Sequence, residues 1–187
     1  MKKQFNDNAF TGLEAAIVLI AFIVVAAVFS YVVLGAGFFT TQKSQEVVHT
    51  GVSQASSSME IVGNVYGIGS GGTHLTNITF VVGNTAGGTP IDVQQMVITY
   101  VNETNHEVIT YNETADPATD NTWKVQARYN ANGDLLLEPG EQFELNVHVM
   151  NPIPNTPFTV NLQPAAGAVY PIHKTVPPAI DTVNVLY

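Results

Sequence analysis

Leu13-Glu14-Ala15-Ala16-Ile17-Val18-Leu19-Ile20-Ala21-Phe22-Ile23-Val24-Val25-Ala26-Ala27-Val28-Phe29 opens a run that stays almost wholly Ala, Val, Ile, Leu and Phe as far as Phe39. Glu14 is its only acid, and Ser30, Tyr31, Gly35 and Gly37 are its mild interruptions. A stretch of ~20 apolar residues suffices to span a bilayer as a helix, and this run exceeds that. The apolar residues occupy every side of the helix. A helix of that kind must meet lipid or other protein, because one polar face is the minimum for a surface helix in water. Ile17, Ile20, Val24 and Val28 are the candidate positions for packing in a helix bundle. Ala15, Ala16, Ala21, Ala26 and Ala27 let neighbouring helices approach closely, although lipid tolerates alanine equally well.

Working towards the N-terminus, Met1–Ala9 is short and polar, with Lys2 and Lys3 at its tip. These charges place that end on the cytoplasmic side of a membrane. Three readings of the segment compete. A secretory signal peptide has a shorter apolar region followed by a small-residue cleavage site, and none is evident before Gln42-Lys43. A signal anchor would leave the whole run in the membrane. The third reading cuts the chain before the apolar run, between Ala9 and Phe10, and keeps the run in the mature protein. Glu14 is costly at the edge of hydrocarbon unless it is interfacial, caps the helix start, or pairs with a cation such as a new amino terminus.

Towards the C-terminus, Gln42 to Glu60 remains helix-compatible, with Val47, Val48, Val52, Ala55 and Met59 near helical spacing. A continuous helix over residues 10–62 is therefore predicted, with a length of roughly 80 Å. Residues 63–73, rich in Gly, Ser and Asn, read as a hinge. Residues 74–187 read as short strands separated by turns: Leu75–Val82, Gln94–Asn102, Glu107–Asn112, Thr122–Tyr129, Phe143–Val149, Phe158–Leu162 and Asp181–Tyr187. Phe143, Leu145, Val147 and Val149 alternate with Glu144, Asn146 and His148, the pattern of a half-buried antiparallel strand. Asn132-Gly133 is a tight-turn signal and Pro139-Gly140 a turn leading into the strand at Gln142. The fold class is α+β: a long N-terminal hydrophobic helix followed by an immunoglobulin-like antiparallel β-sandwich.

The 187 residues carry six basic against fifteen acidic side chains, a formal net charge of -9. No basic patch exists to displace counterions from a nucleic acid, so DNA and RNA are excluded as partners. The chain has no cysteine, which excludes disulfides, thiolate metal sites and cysteine nucleophiles. The five histidines, at 49, 74, 106, 148 and 173, lack metal-ligand spacing. His148 falls on the polar face of its strand and reads as a surface histidine. Asp116 with Asp120, or Glu103 with Glu107, are weak calcium candidates better read as solvated carboxylates. No catalytic triad, phosphate loop or paired carboxylates stand out, and the glycines at 67, 69, 71 and 72 are not followed by the lysine a phosphate loop needs. An enzyme is not expected, and no cofactor.

Ala9-Phe10-Thr11-Gly12-Leu13-Glu14 resembles the processing site of the type IV pilin superfamily, in which an aromatic residue becomes first and glutamate fifth. Leu137-Glu138-Pro139-Gly140-Glu141-Gln142-Phe143-Glu144-Leu145, Thr156-Pro157-Phe158-Thr159-Val160, Gly167-Ala168 and Pro171-Ile172 resemble segments of archaellins, as do Gly12-Leu13-Glu14 and Phe38-Phe39-Thr40-Thr41-Gln42-Lys43. The resemblance covers both ends of the chain in order. It implies a filament subunit of the archaeal swimming organelle. The precursor would sit in the cytoplasmic membrane, a prepilin-like signal peptidase would cut after Ala9, and a motor platform and ATPase would add the subunit to copies of itself outside the cell. Glu14 would pair with the Phe10 amino group of a neighbour. An adhesive pilin and a membrane-anchored β-domain that binds ligand are the alternatives. The first shares processing but not the C-terminal segments; the second would keep its N-terminus. Asn77-Ile78-Thr79, Asn102-Glu103-Thr104 and Asn112-Glu113-Thr114 are sequons, making Asn77, Asn102 and Asn112 candidate acceptors of N-linked glycans.

Overall fold

The computed structural model describes residues 7–56, 59–85 and 88–187. The chain forms two compact units, Met1–Thr50 and Gly51–Tyr187.

The first element, α1 (Asp7–Ser56), is a single helix of 50 residues, about 75 Å long at the α-helical rise. Gly35 and Gly37 do not interrupt it, because glycine costs only about 1 kcal/mol in a helix and the flanking turns continue. Past them the hydroxyls of Thr40 and Thr41 donate back to the carbonyls of Ala36 (2.8 Å) and Gly37 (2.9 Å). Thr50 does the same to Glu46 (2.8 Å). These bonds satisfy polar side chains without help from outside the helix. The expected helix to residue 62 is too long: α1 ends at Ser56, and Met59 already belongs to a strand. Helical spacing of Val47, Val48 and Val52 was sound, but Met59 is buried in the β-domain instead.

The second unit contains β1 (Met59–Ser70), β2 (His74–Asn84), β3 (Ile91–Asp92), a 3₁₀ turn at Val93–Gln95, β4 (Val97–Asn102), β5 (His106–Tyr111), β6 (Thr122–Tyr129), β7 (Leu136–Leu137), β8 (Gln142–His148), β9 (Pro157–Gln163), β10 (Tyr170–Thr175) and β11 (Val183–Leu186). The main sheet runs β10-β9-β4-β5-β6-β8-β2-β1-β11, and β3 pairs with β7. Among the described residues every strand-to-strand pairing is antiparallel except β5 with β6, which touch only at Thr110–Thr122 and Tyr111–Trp123. That short seam divides the sheet into a four-stranded and a five-stranded half. Both halves feed one core, in which Phe80, Phe143 and Leu145 meet Ile98, Tyr100, Phe158 and Leu162. Antiparallel halves sharing a core are the sandwich that the alternating strands imply.

The expected hinge at 63–73 is the clearest correction. Residues 63–70 lie inside β1, which pairs with both β2 and β11, and Gly71, Gly72 and Thr73 form the turn into β2. The glycines serve packing. A Cβ on Gly67 would sit 2.8 Å from Leu75 Cδ1, and one on Gly69 only 2.3 Å from the Asp181 carbonyl. Gly63 has φ +86° and stands where the β1–β2 register shifts, between Val62 and Tyr66. Only glycine adopts that backbone without strain.

Pro139-Gly140 behaves as expected: Glu141 N–H closes a four-residue turn onto Glu138 O (3.1 Å), with Gly140 at φ +92°. The crossover from β5 to β6, residues 112–121, packs over the outer face of β8. Pro117 O lies 2.6 Å from His148 Nδ1, which donates to it, and Lys124 reaches Ala115 O. His148 is consequently buried rather than a surface histidine, because a covering loop, not its own strand, decides its exposure.

Candidate functional site: a bare apolar helix and its modification positions

Four side chains nominated for bundle packing lie on α1 with more than half their surface exposed: Ile17, Ile20, Val24 and Val28. Leu13, Phe22, Phe29, Val32 and Phe39 are exposed too. Positions this varied cannot share one face of a 3.6-residue helix, so the apolar surface runs all round it. Thr11–Val52 is long and apolar enough to cross a membrane. An exposed surface of this size is stable only in lipid or against other chains.

Ala9 and Phe10 lie within the first turns of α1, while Met1–Asn6 fall outside the described residues. Glu14 lines a shallow groove with Thr11, Ala15, Val18, Leu19 and Phe22. No ion pair reaches it among the described residues. Its carboxylate therefore stands on an apolar helix without an ion-pair partner among the described residues. The ion pair of the helix, Lys43 with Glu46, is solvent-exposed and contributes little.

The three sequons occupy unlike environments. Asn112 is exposed; its Oδ1 accepts from the Thr114 N–H (3.1 Å) and hydroxyl (3.0 Å), and its Nδ2 donates to no group among the described residues. Asn102 makes the same turn with Thr104, but is half-buried and its Nδ2 donates to Tyr100 Oη (3.1 Å). Asn77 does not belong with them. It is 5% exposed at mid-strand, its Nδ2 donates to Asn146 Oδ1 (2.7 Å), and its Oδ1 accepts from Thr76. Inside the folded domain no transferase reaches that nitrogen. The N-x-T spacing alone carries no information about burial.

No three metal-ligating side chains converge among the described residues. Of the calcium candidates, Asp116 accepts from the Ala118 N–H and Glu107 from Asn121 Nδ2, so both are engaged in local structure. One carboxylate that carries structure went unmarked as such. Glu141 is buried and accepts from the Asn132 N–H and the Glu138 N–H, each at 3.0 Å, clasping two loops. Its place directly after a Pro-Gly turn was the available signal.

A β-domain with its own core, joined in sequence to a helix whose described side chains are exposed from Thr11 to Val52, defines a subunit with an apolar surface left for lipid or other chains. The chain matches the archaeal-type flagellin family over residues 9–174. It is 44% identical to probable flagellin 1 of Archaeoglobus fulgidus, over 97% of this chain and 96% of that one. It is 41% identical to probable flagellin 2 of the same organism, over 98% and 96%. The fold superposes on a chain of the archaeal flagellum of Methanospirillum hungatei strain JF1 with a TM-score of 0.75 and 32% identity, covering 94% of this chain and 99% of that one. The chain belongs to the archaeal-type flagellin family.

Proposed function

We infer that the chain is a structural subunit of an archaeal swimming filament, polymerised through α1 and exposed outside the cell. The observation that carries this is the helix: apolar on every side, 0% buried within its own chain over the candidate span, on a domain whose core is already closed. The relatives are flagellins, and the similar solved chain belongs to a flagellum. Transfer of the helix from lipid to a bundle of identical helices exchanges one apolar setting for another, so packing of small and large side chains decides the balance.

The route to the filament belongs to the same proposal. A prepilin-like peptidase cuts between Ala9 and Phe10, taking away Lys2, Lys3 and Asp7, so the net charge moves from -9 to -10. The freed amino group of Phe10 pairs with Glu14 of a neighbouring copy, which gives that carboxylate a partner in a dry bundle. A membrane platform and its ATPase drive insertion. N-linked glycans are carried by Asn112 and, less readily, by Asn102, whose amide is tied to Tyr100; Asn77 stays bare.

Ile20→Asp tests the reading. It leaves an unpaired charge in the bundle, at a cost of several kcal/mol. Subunits recovered from the membrane fraction, yet absent from filaments in micrographs, are the expected result. Full-length filaments from Ile20→Asp subunits overturn it. Filament protein whose N-terminal residue is Met1 rather than Phe10 overturns the processing step, and a glycopeptide containing Asn77 overturns the order of acceptors.

A further inference from the structure

We infer that Asn132 is a site of spontaneous deamidation, at which the folded loop promotes attack of the chain on its own side chain. Asn132 is the one asparagine in the sequence that glycine follows. Four features of the loop bear on the reaction. Asn132 and Gly133 are exposed. Gly133, at φ +104°, stands in open space: a Cβ there would meet nothing within 4 Å. Its N–H donates to no group among the described residues, so deprotonation breaks no hydrogen bond. The Asp134 N–H donates to Asn132 Oδ1 at 3.1 Å.

The last contact matters most. Attack of the Gly133 nitrogen on Asn132 Cγ, after that nitrogen has lost its proton to hydroxide, turns Oδ1 into an oxyanion. A main-chain donor already aimed at this oxygen stabilises the intermediate as an oxyanion hole does. The Cγ–Nδ2 bond then breaks, Nδ2 takes a proton from water and leaves as ammonia, and a succinimide remains. Water opens the ring at either carbonyl, giving aspartate or isoaspartate. No oxidant or further reactant is needed. Two contacts hold the reacting residues in register: Asn132 N–H to Glu141 Oε1 (3.0 Å), and Arg128 Nη1 to Gly133 O (3.1 Å).

The bland reading is a glycine chosen only for its turn. It predicts a constrained loop that reacts more slowly than a free peptide, since a fixed backbone seldom reaches the attack geometry by chance. The two readings part on a rate. The full-length protein is held at mildly alkaline pH and digested. The peptide containing residue 132 is then assayed by mass for the gain of acid and by isoaspartyl methyltransferase for the isomer. The same peptide, excised and unfolded, is treated in parallel. Conversion in the folded chain at least as fast as in the free peptide, confined to residue 132 and lost in Asn132→Gln, is expected. Folded-state conversion slower by about tenfold or more, or conversion spread over other asparagines, overturns the inference.

Discussion

Deleting residues 1–72 removes β1, and the domain should fail to fold, whereas deleting 1–58 should leave a stable domain. β1 supplies Met59 and Val65 to the core, and among the described residues it is the only strand that pairs with β11. Without it, β11 loses its ladder and Leu186, which is 2% exposed, loses its cover. At about 1.5–3 kcal/mol for each buried aliphatic side chain, these three together represent about 5–9 kcal/mol. A domain of this size has a total stability of about 5–15 kcal/mol, so the loss consumes most or all of it. The shorter deletion cuts none of the core. Urea titration followed by far-ultraviolet circular dichroism separates the cases. The 59–187 chain should unfold in one cooperative transition, and the 73–187 chain should show none. A cooperative transition of the 73–187 chain at the same urea midpoint would refute the assignment of β1 as part of the domain.

Gly69→Ala places a methyl group 2.3 Å from the Asp181 carbonyl and 2.4 Å from Ile180 Cγ2. It should cost about 1–3 kcal/mol, seen as a melting temperature several degrees lower, while Gly12→Ala, in open space, should leave the β-domain unchanged. Glu141→Ala strands the Asn132 and Glu138 N–H groups at a cost of about 1–3 kcal/mol each, and Glu141→Gln, which keeps one acceptor, should lose less in the same melts. Tyr100 has its pKa raised, chiefly by burial, against a smaller opposing effect of its bond from Asn102. Its contribution is therefore fully present below the unfolded value of 10.0 and lost as pH rises through the folded value. Phenolate absorbance should show Tyr100 titrating late and together with unfolding; Tyr111, also raised chiefly by burial, and Tyr129, raised chiefly by its hydrogen bond to Glu144, titrate late as well.

What the sequence settled by itself is whatever depends on neighbours along the chain. An uninterrupted apolar run can satisfy its backbone only as a helix, so α1 was legible without any partner. Phe143, Leu145 and Val147 alternate with polar residues because one face of β8 is covered, and Thr122–Tyr129 carries the same information for β6. Pro139-Gly140 specifies its turn through φ alone.

Tertiary structure decided whatever depends on segments remote in sequence. Gly63, Gly67, Gly69, Gly71 and Gly72 make a local pattern that a hinge and a tightly packed strand share. Only the approach of Leu75, Leu186 and the Asp181 carbonyl shows that a side chain at 67 or 69 has no room. Polar positions at Asn77 and His148 look solvent-facing on their own strands. Asn77 is nonetheless closed off by its bonds to Thr76 and Asn146, and His148 by a crossover that begins more than thirty residues earlier, at Asn112. Alternation reports which face a side chain takes; it says nothing about what later lies down on that face.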